Sequence, residues 1–303
     1  MRPLFLGLLL LSVLAAGCKK ERPELPAAPS VETKTPQASP PAAETAVPDA
    51  ELPGNPLVEG LAGWLGFATA QPGAKTQYFW TPHHPKARAV LFSDAWKDVP
   101  VGAAVKLVSS TGVQSGRYLG TSDERYGCED NTATMAAFSA PQELPEGPVW
   151  VLPPEAQGVE PLPVRQVAVA GLSADTLKAA GVADASTAKA VAYEAGDLTL
   201  MLVGKSRDKG QMSVILNGKS VLTEPLKKGP QSNANVEPLD VTSRDEVGVL
   251  HPYAALRFGS DGPPAVVLGA RTYEGMNFWV LVHKRTRVEL ERGNLVGLYF
   301  CAH

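Results

Sequence analysis

The sequence predicts a mainly β protein with one or two short helices, arranged as an antiparallel sandwich or as two small β-rich subdomains behind a disordered tether. Three observations predict it. Apolar residues occur in short alternating or continuous runs, the signature of half-buried and fully buried strands. Those runs are punctuated by turn formers, with 28 glycines and 27 prolines in 303 residues. Asn217-Gly218 falls between two such runs, and this dipeptide is the strongest short hairpin signal because a type I′ turn needs positive φ at both central residues.

In chain order, strands are expected at Gln77 to Trp80, Ala89 to Phe92, Ala104 to Val108, Val149 to Leu152, Val164 to Val169 and Leu198 to Val203. They continue at Met212 to Leu216, Ala254 to Phe258, Ala265 to Leu268, Phe278 to Val282 and Leu295 to Phe300. Gly196-Asp197 and Ser260-Asp261-Gly262-Pro263 supply further turns. One helix is predicted over Ala174 to Ala180, where Ser173 can cap its first turn and Gly181 can take the left-handed conformation at its end. Hydrophobic residues make up 44% and charged residues 19% of the chain, a balance that supports a folded core. The proline-rich stretch 141–163 either connects a β-rich unit at 54–140 to a second one with a short helix at 164–303, or bounds an edge strand in a single sandwich.

The N-terminus carries a different kind of information. Arg2 precedes an apolar run from Leu4 to Val13, which ends in Ala15-Ala16-Gly17-Cys18. Lys19 and Lys20 follow too soon for a membrane span, which needs about 20 apolar residues. This pattern resembles the lipobox signal of bacterial lipoproteins. The resemblance implies that 1–17 is a cleaved signal peptide and that Cys18 carries acyl chains such as palmitate. Each buried methylene contributes about 0.8 kcal/mol, so several chains on one cysteine anchor the protein durably to a membrane. By the same resemblance, Lys19 in place of an aspartate favours the outer membrane, with the protein facing the periplasm or the cell surface.

Residues 18–53 then shift to Pro, Ala, Glu, Thr and Ser. Such a segment holds an extended backbone and lacks the side chains for a core. Fully extended at about 3.1 Å per residue it would span on the order of 110 Å, and as a coil roughly 30 to 35 Å. Either reach lifts the folded part off the lipid surface.

Removal of the signal takes away only Arg2 among charged residues, leaving 27 basic against 31 acidic side chains and a formal charge of −4. Nucleic acid binding has no electrostatic support in that balance. The cluster Lys284, Arg285 and Arg287 is short enough to be a solvated hairpin turn with an edge strand. Beyond the lipidated Cys18, two cysteines are left, Cys128 and Cys301. In an oxidising compartment they are expected to pair, closing a long loop worth roughly 4 to 5 kcal/mol in the chain-entropy model.

Searches for chemistry give near misses. Ser186-Thr187-Ala188-Lys189 and Ser206-Arg207-Asp208-Lys209 both fit Ser-x-x-Lys, but the other elements of penicillin-recognising enzymes are absent. Gly218-Lys219-Ser220 matches only the end of a P-loop, with Ser213 where its first glycine belongs. His83, His84 and Asp94 are the candidate metal ligands, yet adjacent histidines on an extended strand point to opposite faces. His251 and His283 have no recognisable partners in sequence. The aromatic cluster Tyr78, Phe79, Trp80, with Trp64, Trp96, Trp150 and Trp279 elsewhere, could stack on glycans if exposed or fill the core if not. No catalytic residue and no cofactor is implied. The sequence therefore favours a membrane-anchored envelope lipoprotein that binds a protein partner or a glycan, or belongs to an assembly. The alternatives are an envelope hydrolase whose site assembles only in three dimensions and a surface-exposed adhesin or defence protein.

Overall fold

Strand follows strand through the described part of the chain because its apolar runs are short and its turns are chemically specified. The structure is a computed structural model that describes residues 52–53, 63–69, 84–126, 131–185, 188–228, 238–259, 262, 264–272, 275–284, 287–291 and 297–299.

The first six strands are β1 (Trp64–Ala68), β2 (Ala89–Phe92), β3 (Ala104–Ser109), β4 (Gly112–Tyr126), β5 (Asn131–Ser139) and β6 (Pro148–Leu152). They close into an antiparallel barrel in the order β1-β2-β5-β4-β3-β6. Closure is made by β6, whose Val151 lies opposite both Trp64 of β1 and Leu107 of β3. Registers place Trp64, Val151 and Leu107 on one face, and Ala89, Phe138 and Tyr118 follow on the same face around the ring. A short 3-10 turn, Asp94–Trp96, drives the fully buried Trp96 against that face. Its ring meets Trp64 at 5.0 Å, Phe138 at 4.9 Å and Tyr118 at 5.3 Å between centroids, and the Tyr118 hydroxyl donates to the Trp96 carbonyl at 2.8 Å. Strands β1 and β4 stand farthest apart in the ring, so side chains from both can touch Trp96 only across the barrel interior.

Two sheets follow. The middle one contains β7 (Val159–Leu162), β13 (His251–Phe258), β14 (Ala265–Arg271), β15 (Gly275–Lys284) and β16 (Arg287–Glu291) in the order β16-β15-β14-β13-β7, with β17 (Gly297–Tyr299) also paired to β15. The other contains β8 (Arg165–Val167), β9 (Ala190–Ala195), β10 (Leu198–Gly204), β11 (Lys209–Leu216) and β12 (Lys219–Lys227), in the order β12-β11-β10-β9-β8. The stretch 141–163 thus gives β6 to the barrel and β7 to the middle sheet.

Alternation along the middle sheet explains the layering. Ala254, Leu256, Ala265, Val267, Phe278 and Val280 share a core cluster with the barrel, and the Phe67 and Phe278 rings lie 4.9 Å apart. Ala255, Val266, Leu268 and Leu281, one position out of phase, join Leu200, Leu202, Met212 and Val214 of the five-stranded sheet. Both faces are therefore buried, which is why β14 reads as a continuous apolar run. The outer face of the five-stranded sheet, with Ala192, Met201, Val203 and Ile215, is covered by Leu177, Ala180 and Val182 in and after α1 (Ala174–Ala179). Ser173 caps that helix by accepting from the Thr176 N–H at 3.1 Å, and Gly181 closes it at φ 71°. Among the described residues α1 is the one α-helix, and no helix is long and apolar enough to cross a membrane.

The β-rich reading thus holds, and the sheets combine a closed barrel with a layered pair. Asn217 and Gly218 form the predicted hairpin turn between β11 and β12 at φ 51° and 73°. The basic cluster falls at the β15–β16 hairpin, with Lys284 opposite Arg287 on an edge strand, while Arg285 lies outside the described residues.

Candidate functional site

Cys18, Cys128, Cys301 and His83 lie outside the described residues, as do Tyr78, Phe79 and Trp80. His84 is described and is engaged locally. Its Nδ1 accepts the Lys86 N–H at 3.3 Å, while its carbonyl accepts the Ala87 N–H at 3.0 Å in the turn before β2.

Asp94 opens the 3-10 turn that Ser93 caps, Ser93 Oγ accepting the Ala95 N–H at 3.2 Å. An open groove of about 510 Å3 is lined there by Asp94, Lys97, Asp123, Thr132 and Thr134. Thr134 Oγ1 donates to Asp123 at 2.9 Å, and Lys97 reaches Asp94 at 3.0 Å. The Thr134 hydroxyl and then the Lys97 ammonium hold the Asp94 carboxyl below its ordinary range. A carboxylate kept ionised in this way is suited to charge pairing, not to donating a proton. Among the described residues, no three of His, Cys, Asp and Glu come together as a cation site would need.

The most heavily bonded polar constellation is one the sequence did not reveal. His251 starts β13 and is only 1% exposed. Its Nε2 faces the Ser243 carbonyl at 2.9 Å, so that nitrogen must carry the proton, and its Nδ1 accepts from the Tyr193 hydroxyl of β9 at 3.0 Å. Burial pushes its pKa down to about 4. The Arg244 guanidinium stacks between Tyr193 and Tyr253, at 5.6 and 5.0 Å from the ring centroids, and donates to the Pro252 carbonyl at 3.2 Å. Asp240 folds the same loop by accepting the Thr242 N–H and hydroxyl at 2.9 and 2.6 Å, and the Thr242 hydroxyl chiefly holds its pKa down. Both imidazole nitrogens are thus engaged, so His251 is a joint between the two sheets and the 238–250 loop. Its partners lie eight and 58 positions away, separations that no local pattern encodes.

The remaining sequence candidates resolve individually. Ser206 lies in the β10–β11 turn with its hydroxyl on Asp208 at 3.2 Å, whereas Ser186 lies outside the described residues. Lys219 and Ser220 belong to the β11–β12 hairpin. Trp64, Trp96 and Trp150 are 0 to 3% exposed, so they serve the core and offer no stacking face.

No family model matches this chain, and neither a curated protein nor a solved structure does. Its function is therefore argued from its own residues.

Proposed function

We propose that this chain is a lipid-anchored protein of the bacterial envelope, held in the outer membrane, whose β-rich domain works by binding a partner or as part of an assembly. The observation that carries this reading is Cys18 directly after Ala15-Ala16-Gly17, with an apolar run before it and a proline-rich segment behind it. Such a signal supplies an acyl anchor, and the following segment supplies reach. The described domain adds support of a different kind. Its most chemistry-like side chains, His251 and Tyr193, are committed to each other and to the loop they hold.

The test is crosslinking in intact cells, followed by denaturing purification and mass spectrometry, with Cys18→Ala as the mislocalised control. One protein adduct that disappears in the control is expected. An adduct pattern indifferent to Cys18, together with a Cys18 free of acyl mass, would overturn the reading. Protease added to whole cells distinguishes a surface-exposed domain from a periplasmic one.

In the same compartment Cys128 and Cys301 pair. Alkylation before reduction should leave both unlabelled, and a Cys128→Ser, Cys301→Ser chain should lose roughly 2 to 5 kcal/mol in denaturant unfolding.

A further inference from the structure

The outer face of the barrel carries a groove of about 500 Å3 with a one-sided charge pattern. In the register of β3, β4 and β5, Lys106 lies opposite Ser115, and Arg117 lies opposite both Ala104 and Ser139. Those side chains share a face, with the two cations diagonal to each other across neighbouring strands. Lys106, Ser115, Arg117 and Ser139 line the groove together with Pro141 and Pro154.

Its walls are tied in place. Lys106 Nζ donates to the Ala156 carbonyl and so holds the 153–156 turn, which is closed by the Ala156 N–H on the Pro153 carbonyl at 3.1 Å. The opposite wall is stapled by the Gln142 N–H, which donates to Gln114 Oε1 at 3.1 Å. Gly116 gives the groove only backbone, because a Cβ there would sit on the inner face of the strand, 2.8 Å from the core side chain of Leu107 and 2.9 Å from the Ser139 carbonyl, a close approach of the kind that glycine inside a strand often marks.

Arg117 sets this groove apart. Arg165, Arg257 and Arg271 have carboxylate partners in Glu194, Asp197 and Asp245, at 3.6, 3.1 and 2.7 Å, while Arg88 and Arg244 donate to the Ala87 and Pro252 carbonyls at 3.1 and 3.2 Å. Arg117 is partly buried and has no ion pair among the described residues, and no carboxylate lines the groove. Partial desolvation of an unpaired guanidinium is costly, and an incoming anion would offset that cost. The available donors are the planar Arg117 fork, the remaining N–H bonds of Lys106 and the Ser115 hydroxyl. That set suits the acceptor oxygens of a phosphate group. Since the chain as a whole carries excess negative charge, general electrostatic attraction does not explain the local pattern.

We infer that the Lys106–Arg117 groove is a binding site for a phosphate oxyanion. This names a ligand class for the proposed binding domain and rests on that reading, although not on the lipid anchor. Two sources share the chemistry, a free phosphate and a phospholipid headgroup. The experiment is calorimetric titration of the full chain in a neutral detergent at fixed ionic strength. The probes are inorganic phosphate and glycerophosphoglycerol, the soluble headgroup of phosphatidylglycerol.

Saturable binding of at least one probe is expected, weakened at least tenfold in Arg117→Gln and unchanged in Lys178→Gln on the exposed face of α1. Tighter phosphate binding assigns the groove to free phosphates, and tighter glycerophosphoglycerol binding assigns it to lipid headgroups. Ser115→Asp, at an exposed position, should abolish binding by placing a carboxylate in the groove, so the result stands even if Arg117→Gln folds poorly. Absence of saturable heat with both probes, or binding indifferent to Arg117 and Ser115, would overturn the inference. Failure here would leave the crosslinked-partner result intact, so the site and the anchored binding role fail separately.

Discussion

The barrel and the layered pair of sheets solve the same problem in opposite ways. Barrel closure leaves no sheet edge in its ring, and its interior is filled by rings: Trp96 at the centre with Trp64, Tyr118 and Phe138 around it. The layered half keeps terminal strands at β12, β8, β16 and β7, and it ties a long loop across two sheets through the buried His251. Edge strand β12 is blunted by Lys219, Glu224, Pro225 and Lys227. The centre of the barrel is therefore held by packed rings and the Tyr118 hydroxyl on the Trp96 carbonyl, while the layered half depends on a titratable joint. Between about pH 6.5 and about 4 the barrel should keep its stability and the layered half should lose some.

Removal of the barrel's central ring gives the largest expected effect. Trp96→Ala should cost about 3 to 5 kcal/mol in urea unfolding, because the surrounding rings cannot collapse into the space it leaves. That cost should be the same at pH 7 and pH 5, since the rings packed on Trp96 are those of Trp64, Phe138 and Tyr118, none of which titrates between those values. A cost that changes between the two values would break the contrast between the halves.

Acid should act on the other half. The folded His251 has a pKa of about 4, below the ordinary value of about 6.5. Between those values the unfolded chain binds the proton and the folded chain does not. Stability is therefore lost as pH falls from about 6.5 to about 4, by at most about 3 kcal/mol. Hydrogen exchange read by mass spectrometry should show the loss first in 190–195 and 238–258, with 104–126 and 131–139 protected longer. His251→Gln should flatten the profile across that window. Equal acid sensitivity in both regions would remove the distinction.

The same contrast governs what the sequence disclosed. Apolar strands with buried faces were legible: Ala89 to Phe92 and Leu198 to Val203 match β2 and β10 to within a residue. Turn chemistry at Asn217-Gly218 and capping by Ser173 were legible too, since each depends on neighbours in the chain. Strand β4, with Gly112, Gly116 and Gly120 among polar residues, was not. Its extended form is imposed by pairing with β3 and β5, not by its own pattern. Nor was β12, whose Pro225 argues against a strand until the structure places it at an edge. Of the candidate ligands, His84 and Asp94 proved to be held in local turn contacts. His251 passed without a partner because Tyr193 reaches it only through sheet layering and Ser243 only through the folding of the 238–250 loop.

A narrower change sharpens the account of the joint. Tyr193→Phe keeps the ring under Arg244 and removes only the hydroxyl that donates to His251 Nδ1. At pH 7 it should cost about 1 to 2 kcal/mol, the penalty of a buried acceptor left unmatched. Loss of that donor also removes a preference for the neutral ring. The folded pKa of His251 should rise toward its ordinary value and the acid-sensitive window should narrow. A variant that is destabilised but keeps the full window would assign the low pKa to burial and the nearby Arg244 charge.

The smallest expected effect lies where the layered half meets solvent. Asn217 holds φ 51° in the β11–β12 turn, a left-handed conformation that asparagine tolerates better than most residues. Asn217→Ala should cost roughly 1 kcal/mol, and Asn217→Gly should recover most of it, since glycine takes positive φ without a Cβ clash. The turn is remote in sequence from both His251 and Trp96, and it fixes the register of an edge strand. Its loss should therefore appear as faster exchange in β12 alone, with the acid window and the barrel unchanged. Spread of that exchange into β9 or β13 would mean that the five-stranded sheet yields from its edge inward, and that the His251 joint depends on the hairpin as much as on its own hydrogen bonds.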